Sequence, residues 1–396
     1  MSNLKCLVGA LAATFASFVS AAQADTIKVG VIGPLSGPYS LYGQNFQWGM
    51  QAYAKVNGAS VGEHQVEFVY RDLPGVDPAK ARALAQELIV KDKVQYLAGA
   101  YFTPNALSIA SLLKQGNVPF VVLNAATSSI VEQSPVILRT SFTMWQNTVP
   151  AATVAIEDGS KKAMTVVSDY GPGVDAETGF KETYEKAGGE LVETIRLPLT
   201  TSDFNPVAQR IKQSGADTVF AFFPAGAPTL GFMKSYIGNG LAEAGVKLIS
   251  TGDLLTEPDL PALGDVALGT RSTYHYSASH DSPENKAFME ALESIGADKT
   301  KVTMAAVAAY DGAKLIYEMI NVTGGKQDPQ TAVDAVDWLK TTPALKVDGT
   351  DCPCPDFGQG QPLADQFLTR PQSRWASNAF SSLFTYWPSS FATSRR

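Results

Sequence analysis

Cysteine is scarce in this chain, and so is histidine. Of three cysteines in 396 residues, Cys6 lies in an apolar leader, and Cys352 and Cys354 are separated only by Pro353. That spacing offers no disulfide framework. The three histidines, His64, His275 and His280, are too few and too scattered for a zinc signature, so neither metal nor cofactor is expected. Basic clusters are missing as well. The 31 Lys and Arg are scattered among 38 Asp and Glu, for a net charge of −7. Nucleic-acid binding needs a concentrated basic surface and is excluded as a function class. After the leader, no apolar run reaches the length that a membrane-spanning helix needs. The marks of a hydrolase are absent too. Pro34-Leu35-Ser36-Gly37-Pro38 is not a Gly-x-Ser-x-Gly elbow, and no histidine stands where a triad needs one.

What the chain has begins at its start. Lys5 precedes an apolar, Ala-rich run that closes on Ala22-Gln23-Ala24 before Asp25. A basic start, an apolar middle and an Ala-x-Ala close read as a secretory signal, with cleavage between Ala24 and Asp25 and a soluble mature chain. Cys6 sits too early for a lipoprotein cleavage site.

From Ile27 onward, strand and helix patterns alternate. Strands are expected at 27–33, 65–72, 94–99 and 118–124, with helices at 46–56, 77–91 and 105–115 between them. A second series has strands at 162–169, 190–199, 216–223 and 246–252, with helices at 174–187, 205–214 and 230–240. Helical pattern returns at 283–294 and 303–323. Such alternation specifies parallel sheets with helices on both faces. The fold class is therefore α/β, two doubly wound parallel-sheet lobes. Ligands of open α/β sheets bind outside the carboxyl ends of the strands. Here those ends read GPLSGPYSLYG, GAYFTPN, LNAATSS, SDYGPG, FFPAGAP and STGDLLTE. They are rich in hydroxyls, small residues and aromatics, Ser36 and Tyr42 among them. Any one loop is ordinary turn chemistry; six together are better explained as walls of a cleft between lobes.

These residues carry a resemblance. IKVGVIGPLSGPYSLYG, VPFVVLNAATSS, VVSDYGPGVDAETGFKETYEKAGGELV and AAYDGAKLIYE are similar to segments of the leucine/isoleucine/valine-type periplasmic solute-binding proteins of ABC importers. The similarity runs from about Asp25 to about Lys340 and implies two lobes joined by three crossovers, closing on a ligand. Lobe 1 is expected at 25–145 and 275–345, lobe 2 at 146–274, and a divergent, poorly ordered tail at 346–396. The resemblance implies a periplasmic monomer that delivers a small carboxylate to a membrane permease. A branched-chain or related amino acid is the first expectation; an aromatic acid, amide or urea is the alternative.

Carried over residue by residue, Thr103 and the loop Ala125, Ala126, Thr127 would hold a ligand carboxylate. Tyr42 would pack along the ligand side chain, Tyr170 would face it from lobe 2, and Asp253 would pair with an ammonium. Tyr101, Phe102, Tyr274 and His275 would suit an aromatic acid. Thr127 also reads as a plain helix cap, and Asp253 as a turn aspartate. A rival from another class is an NAD-dependent enzyme: Gly171 to Ala176 fits Gly-x-Gly-x-x-Ala, and Glu193 stands roughly where a ribose-binding acid would. Against it, Asp169 and Tyr170 intervene after the strand and Glu193 lies inside the next one. A sensor role on the same fold is not separable from transport at this level.

Overall fold

The structure is a computed structural model that describes residues 25–114 and 117–336. The segment expected to be a secretory signal and the expected tail at 346–396 lie outside the described residues.

The first sheet is built on β1 (Thr26–Gly33), whose Val29, Val31 and Ile32 are buried because helices cover both faces. Around it stand β2 (Ser60–Val61), β3 (His64–Asp72), β4 (Tyr96–Gly99), β5 (Phe120–Val122) and β6 (Ile137–Arg139). The order is β2-β3-β1-β4-β5-β6, parallel except for β2 against β3. One face is covered by α2 (Pro78–Val90) and α3 (Thr103–Leu112), through Ala81, Ala85, Leu88, Ile109 and Ala110. The other is covered by α1 (Ser40–Asn57) and, from far along the chain, α10 (Met304–Thr323). These two helices touch backbone to backbone at Gly49, where a Cβ would lie 2.2 Å from the Ala306 carbonyl oxygen.

The chain leaves this sheet after β6 and enters α4 (Met144–Glu157), capped reciprocally by Thr143 and Gln146. The second sheet follows as β7 (Lys162–Ser168), β8 (Glu190–Leu197), β9 (Thr218–Phe222), β10 (Lys247–Thr251) and β11 (Arg271–Thr273). It is fully parallel, in the order β11-β10-β9-β7-β8. Helices α5 (Gly171–Lys186) and α4 lie on one face; α6 (Asn205–Ser214) and α7 (Ala227–Gly238) lie on the other, burying Val207, Ile211, Phe232 and Met233. After the short α8 (Leu260–Leu263) and β11, the chain returns to the first sheet through α9 (Pro283–Ser294) and α10, ending in α11 (Pro329–Ala335).

Two sequence expectations differ from this structure. The segment at 144–157 gave no helical expectation, yet it is α4, and its start at Met144 falls just before the boundary expected at 146. Its Gln146-Asn147-Thr148 start and internal Pro150 blur the apolar period. Strands β6 and β11, three residues each, are too short to carry a pattern.

Candidate ligand-binding site

The carboxyl ends of both sheets face one another across a cavity of about 310 Å³, counting its opening to solvent. After β4 the chain turns through Ala100, whose φ of 64° is unusual for a residue with a side chain. Its N–H is held by the Ile32 carbonyl at 2.9 Å and its carbonyl by the Ala125 N–H at 3.1 Å. That turn sends Tyr101, Phe102 and Thr103 into the cavity wall, beside Asn124 and Ala126 from the loop after β5. Phe142 and Met144 come from the crossover, Tyr170 and Pro172 from the start of α5, Phe222 and Pro224 from the end of β9, and Asp253 from the turn after β10.

The polar groups sit in two places. In lobe 1, the Thr127 hydroxyl donates to the Thr103 hydroxyl at 3.1 Å. Thr103 is therefore left with its own O–H to donate to a ligand oxygen. Thr127 precedes a short turn at Ser128–Gln133, but its side chain does not cap that turn. In lobe 2, the Asp253 carboxylate accepts from the Thr251 hydroxyl at 2.8 Å and the Tyr274 hydroxyl at 3.1 Å. Asp253 is only 5% exposed, and no described Lys or Arg forms an ion pair with it. Burial pushes its carboxyl up to about 6, with the Thr251 and Tyr274 hydroxyls pulling the other way. Between the two places the walls are rings: Tyr42 packs on Tyr101 at 4.8 Å, and Tyr170 stacks on Phe222 at 6.1 Å.

Of the residues singled out from sequence, Tyr101, Phe102, Thr103, Ala126, Tyr170 and Asp253 line the cavity. The others do not. Tyr42 is a buried support behind Tyr101, and Thr127 stands one hydrogen bond back, behind Thr103. Ala125 is spent in the core, with its N–H on Ala100. Ser36 is exposed and knots its turn to β3, its hydroxyl donating to Asp72 at 2.5 Å. His275 lies behind Phe142, stacked at 4.3 Å, and its two ring nitrogens are buried without partners. Burial drives the imidazole down to about 3, so it stays neutral. Sequence reasoning missed Asn124, Phe142, Met144, Pro172, Phe222 and Pro224. Asn124, Phe222 and Pro224 stood inside strand-end stretches already marked as cleft walls; Phe142 and Met144 lay in the unassigned crossover.

The dinucleotide motif finds no support in geometry. Gly171 to Ala176 forms the first turns of α5, and Glu193 is paired with Arg210 at 2.7 Å on the flank of the second lobe.

Two facing α/β lobes with a ring-lined, partly polar cavity at their carboxyl edges define a bilobed binding protein. A family profile described as periplasmic binding protein matches residues 26–359, past the point near Lys340 where the motifs fade. A Leu/Ile/Val-binding protein homolog 6 of Brucella melitensis is 55% identical over 339 residues, covering 85% of this chain and 87% of that one. An ABC-transporter solute-binding protein from R. palustris, solved in complex with 4-hydroxybenzoate, is 64% identical with a TM-score of 0.78, covering 79% of this chain and 85% of that one. Another, from Rhodopseudomonas palustris BisB5 in complex with 3,4-dihydroxybenzoic acid, is 40% identical with a TM-score of 0.73 and the same coverages of 79% and 85%. The chain belongs to the periplasmic binding protein family. It is a solute-binding protein of ABC transporters and not an enzyme. Among the described residues, no helix is long and apolar enough to cross a membrane.

Proposed function

We propose that the cleft captures a hydroxylated benzoate, of the 4-hydroxybenzoate type, and presents it unchanged to an importer permease from the periplasm. The observation that carries this reading is Asp253, a buried acceptor reached across a cavity walled by Tyr101, Phe102, Phe142, Tyr170 and Phe222. A benzene ring fills space between such walls, with aromatic pairs contributing about 0.5–1.5 kcal/mol beyond area burial. Thr103 would donate to the carboxylate, and a ring hydroxyl would donate to Asp253. That hydroxyl is neutral, so Asp253 gains a third donor with no ammonium to strip of water. The ligands of the solved R. palustris relatives support the same class.

A branched-chain amino acid is the second reading. It is favoured by the buried, unpartnered Asn124 Oδ1, an extra acceptor for an ammonium in the cavity that Asp253 also lines, and by the name of the Brucella relative. Calorimetry with 4-hydroxybenzoate, benzoate and leucine separates them. Saturable binding of 4-hydroxybenzoate is expected, and at about 100 times its Kd it should stabilise the protein by roughly 2.7 kcal/mol. Heat from leucine with none from either benzoate would reverse the assignment. Export is tested separately: N-terminal sequencing of periplasmic material should begin at Asp25, and an intact Met1 on the soluble product would contradict the signal reading.

A further inference from the structure

A carboxylate of one lobe is hydrogen-bonded to the other outside the cavity, with a buried guanidinium within its field. Arg139, at the end of β6, is only 6% exposed. Its Nη2 donates to the Thr127 carbonyl at 2.5 Å, and its Nε is buried with no partner. A guanidinium held by one carbonyl in a dry site is costly unless an anion stands nearby. The nearby anion comes from the other lobe. Asp175, on α5, accepts from the Ser128 N–H at 2.8 Å and from the Ser128 hydroxyl at 3.2 Å, and its charge steadies Arg139. Residues 127 and 128 thus do three jobs at once. The Thr127 hydroxyl meets Thr103 at the cavity, its carbonyl meets Arg139, and Ser128 meets Asp175.

We propose that Asp175 is an interlobe latch and Arg139 its buried counter-charge, a positioning residue that holds the Thr127–Ser128 turn where both ligand and latch engage it. When the lobes meet, the carboxylate takes two donors of the turn and offsets the charge beneath it; when they part, those donors return to water. The latch rests on the reading that the lobes separate to admit the ligand, and it does not depend on which ligand that is. It sets how long the trap stays shut, independently of the groups that recognise the cargo.

The test uses the full mature chain as wild type, Asp175→Ala and Asp175→Asn. Hydrogen exchange of the segment holding Ser128 is followed first in ligand-free protein. Exchange several-fold faster in Asp175→Ala than in wild type is expected, because part of the ligand-free population is latched. Stopped-flow dissociation of 4-hydroxybenzoate should then be roughly 10- to 100-fold faster in Asp175→Ala, as for lost hydrogen bonds to a charged group, with association little changed. Asp175→Asn keeps an acceptor but not the charge, and should dissociate as fast as Asp175→Ala. Equal exchange at Ser128 in wild type and Asp175→Ala overturns the latch, and so does an unchanged dissociation rate. An Asp175→Asn variant that behaves as wild type removes Arg139 from the device and overturns the pairing. If 4-hydroxybenzoate binds none of the three proteins, the ligand assignment fails, and the ligand-free exchange alone decides the latch.

Discussion

Gly171→Ala is expected to weaken ligand binding while leaving the ligand-free fold as stable as before. Gly171 opens α5, and a Cβ there would stand 2.4 Å from Thr127 Oγ1 and 3.3 Å from Thr103 Cγ2. Both contacts belong to the opposite lobe, so the methyl collides only when the lobes are together. Relief has two routes. The lobes can stop short of full closure, or Thr127 can rotate and give up its bond to Thr103, which then loses its orientation toward the ligand. Overpacking of this kind costs about 1–3 kcal/mol, which corresponds to roughly 5- to 150-fold in affinity. Calorimetry with 4-hydroxybenzoate measures the loss, and solution scattering of the loaded protein should report a larger radius than wild type. A melting temperature within about two degrees of wild type in ligand-free protein confirms that the effect lies in closure. Wild-type affinity in Gly171→Ala would mean that the lobes do not approach this closely in solution.

The fold was legible because the longer parallel strands, though not β6 or β11, announce themselves as short apolar runs punctuated by turn residues. Helices α6 and α9 were read to the residue, since Ser214-Gly215 and Ser282-Pro283 mark their ends in the sequence. Helix α4 was not, although Thr143-x-x-Gln146 is a capping box, because Pro150 and a polar first turn hide its apolar face. At the site, the strand-end rule pointed to the walls, and Thr103 and Asp253 were singled out within those ends by the family resemblance. What sequence could not show is depth. Ser36, Tyr42 and Thr127 lie on the right loops, yet one turns to Asp72, one supports Tyr101 and one stands behind Thr103. His275 was legible as an aromatic near a crossover, but its burial behind Phe142 depends on α4, which was missing from the pattern. Arg139 carried no motif, and Asp175 stood only at a variable place of Gly-x-Gly-x-x-Ala, because a contact between lobes has no sequence period.

Asp253→Asn should raise ligand-free stability near neutral pH and reduce the selectivity for a ring hydroxyl. Burial lifts the Asp253 carboxyl from 3.8 to about 6. The folded state therefore holds this proton more tightly than the unfolded chain does. Its contribution to stability is fully present below about pH 4 and is lost as pH rises through about 6. That tighter hold on the proton amounts to ~3 kcal/mol at most. Asparagine cannot ionise and carries no such slope. In urea unfolding followed from about pH 4 to about pH 8, the variant should match wild type at the acid end and exceed it by up to ~3 kcal/mol at the other. Wild type bears this cost because the ionised carboxylate is the better acceptor. A hydrogen bond to a charged group contributes about 1.5–3 kcal/mol, so 4-hydroxybenzoate should outbind benzoate by roughly 10- to 150-fold at pH 8. In Asp253→Asn the bond becomes neutral, worth about 0.5–1.5 kcal/mol, and the ratio should fall to within roughly tenfold. Between about pH 8 and about pH 6 the wild-type ratio should begin to shrink as Asp253 takes up its proton, while that of the variant stays flat. Stability curves that run parallel, together with a ratio untouched by the substitution, would remove Asp253 from ligand recognition and leave it a buried turn residue.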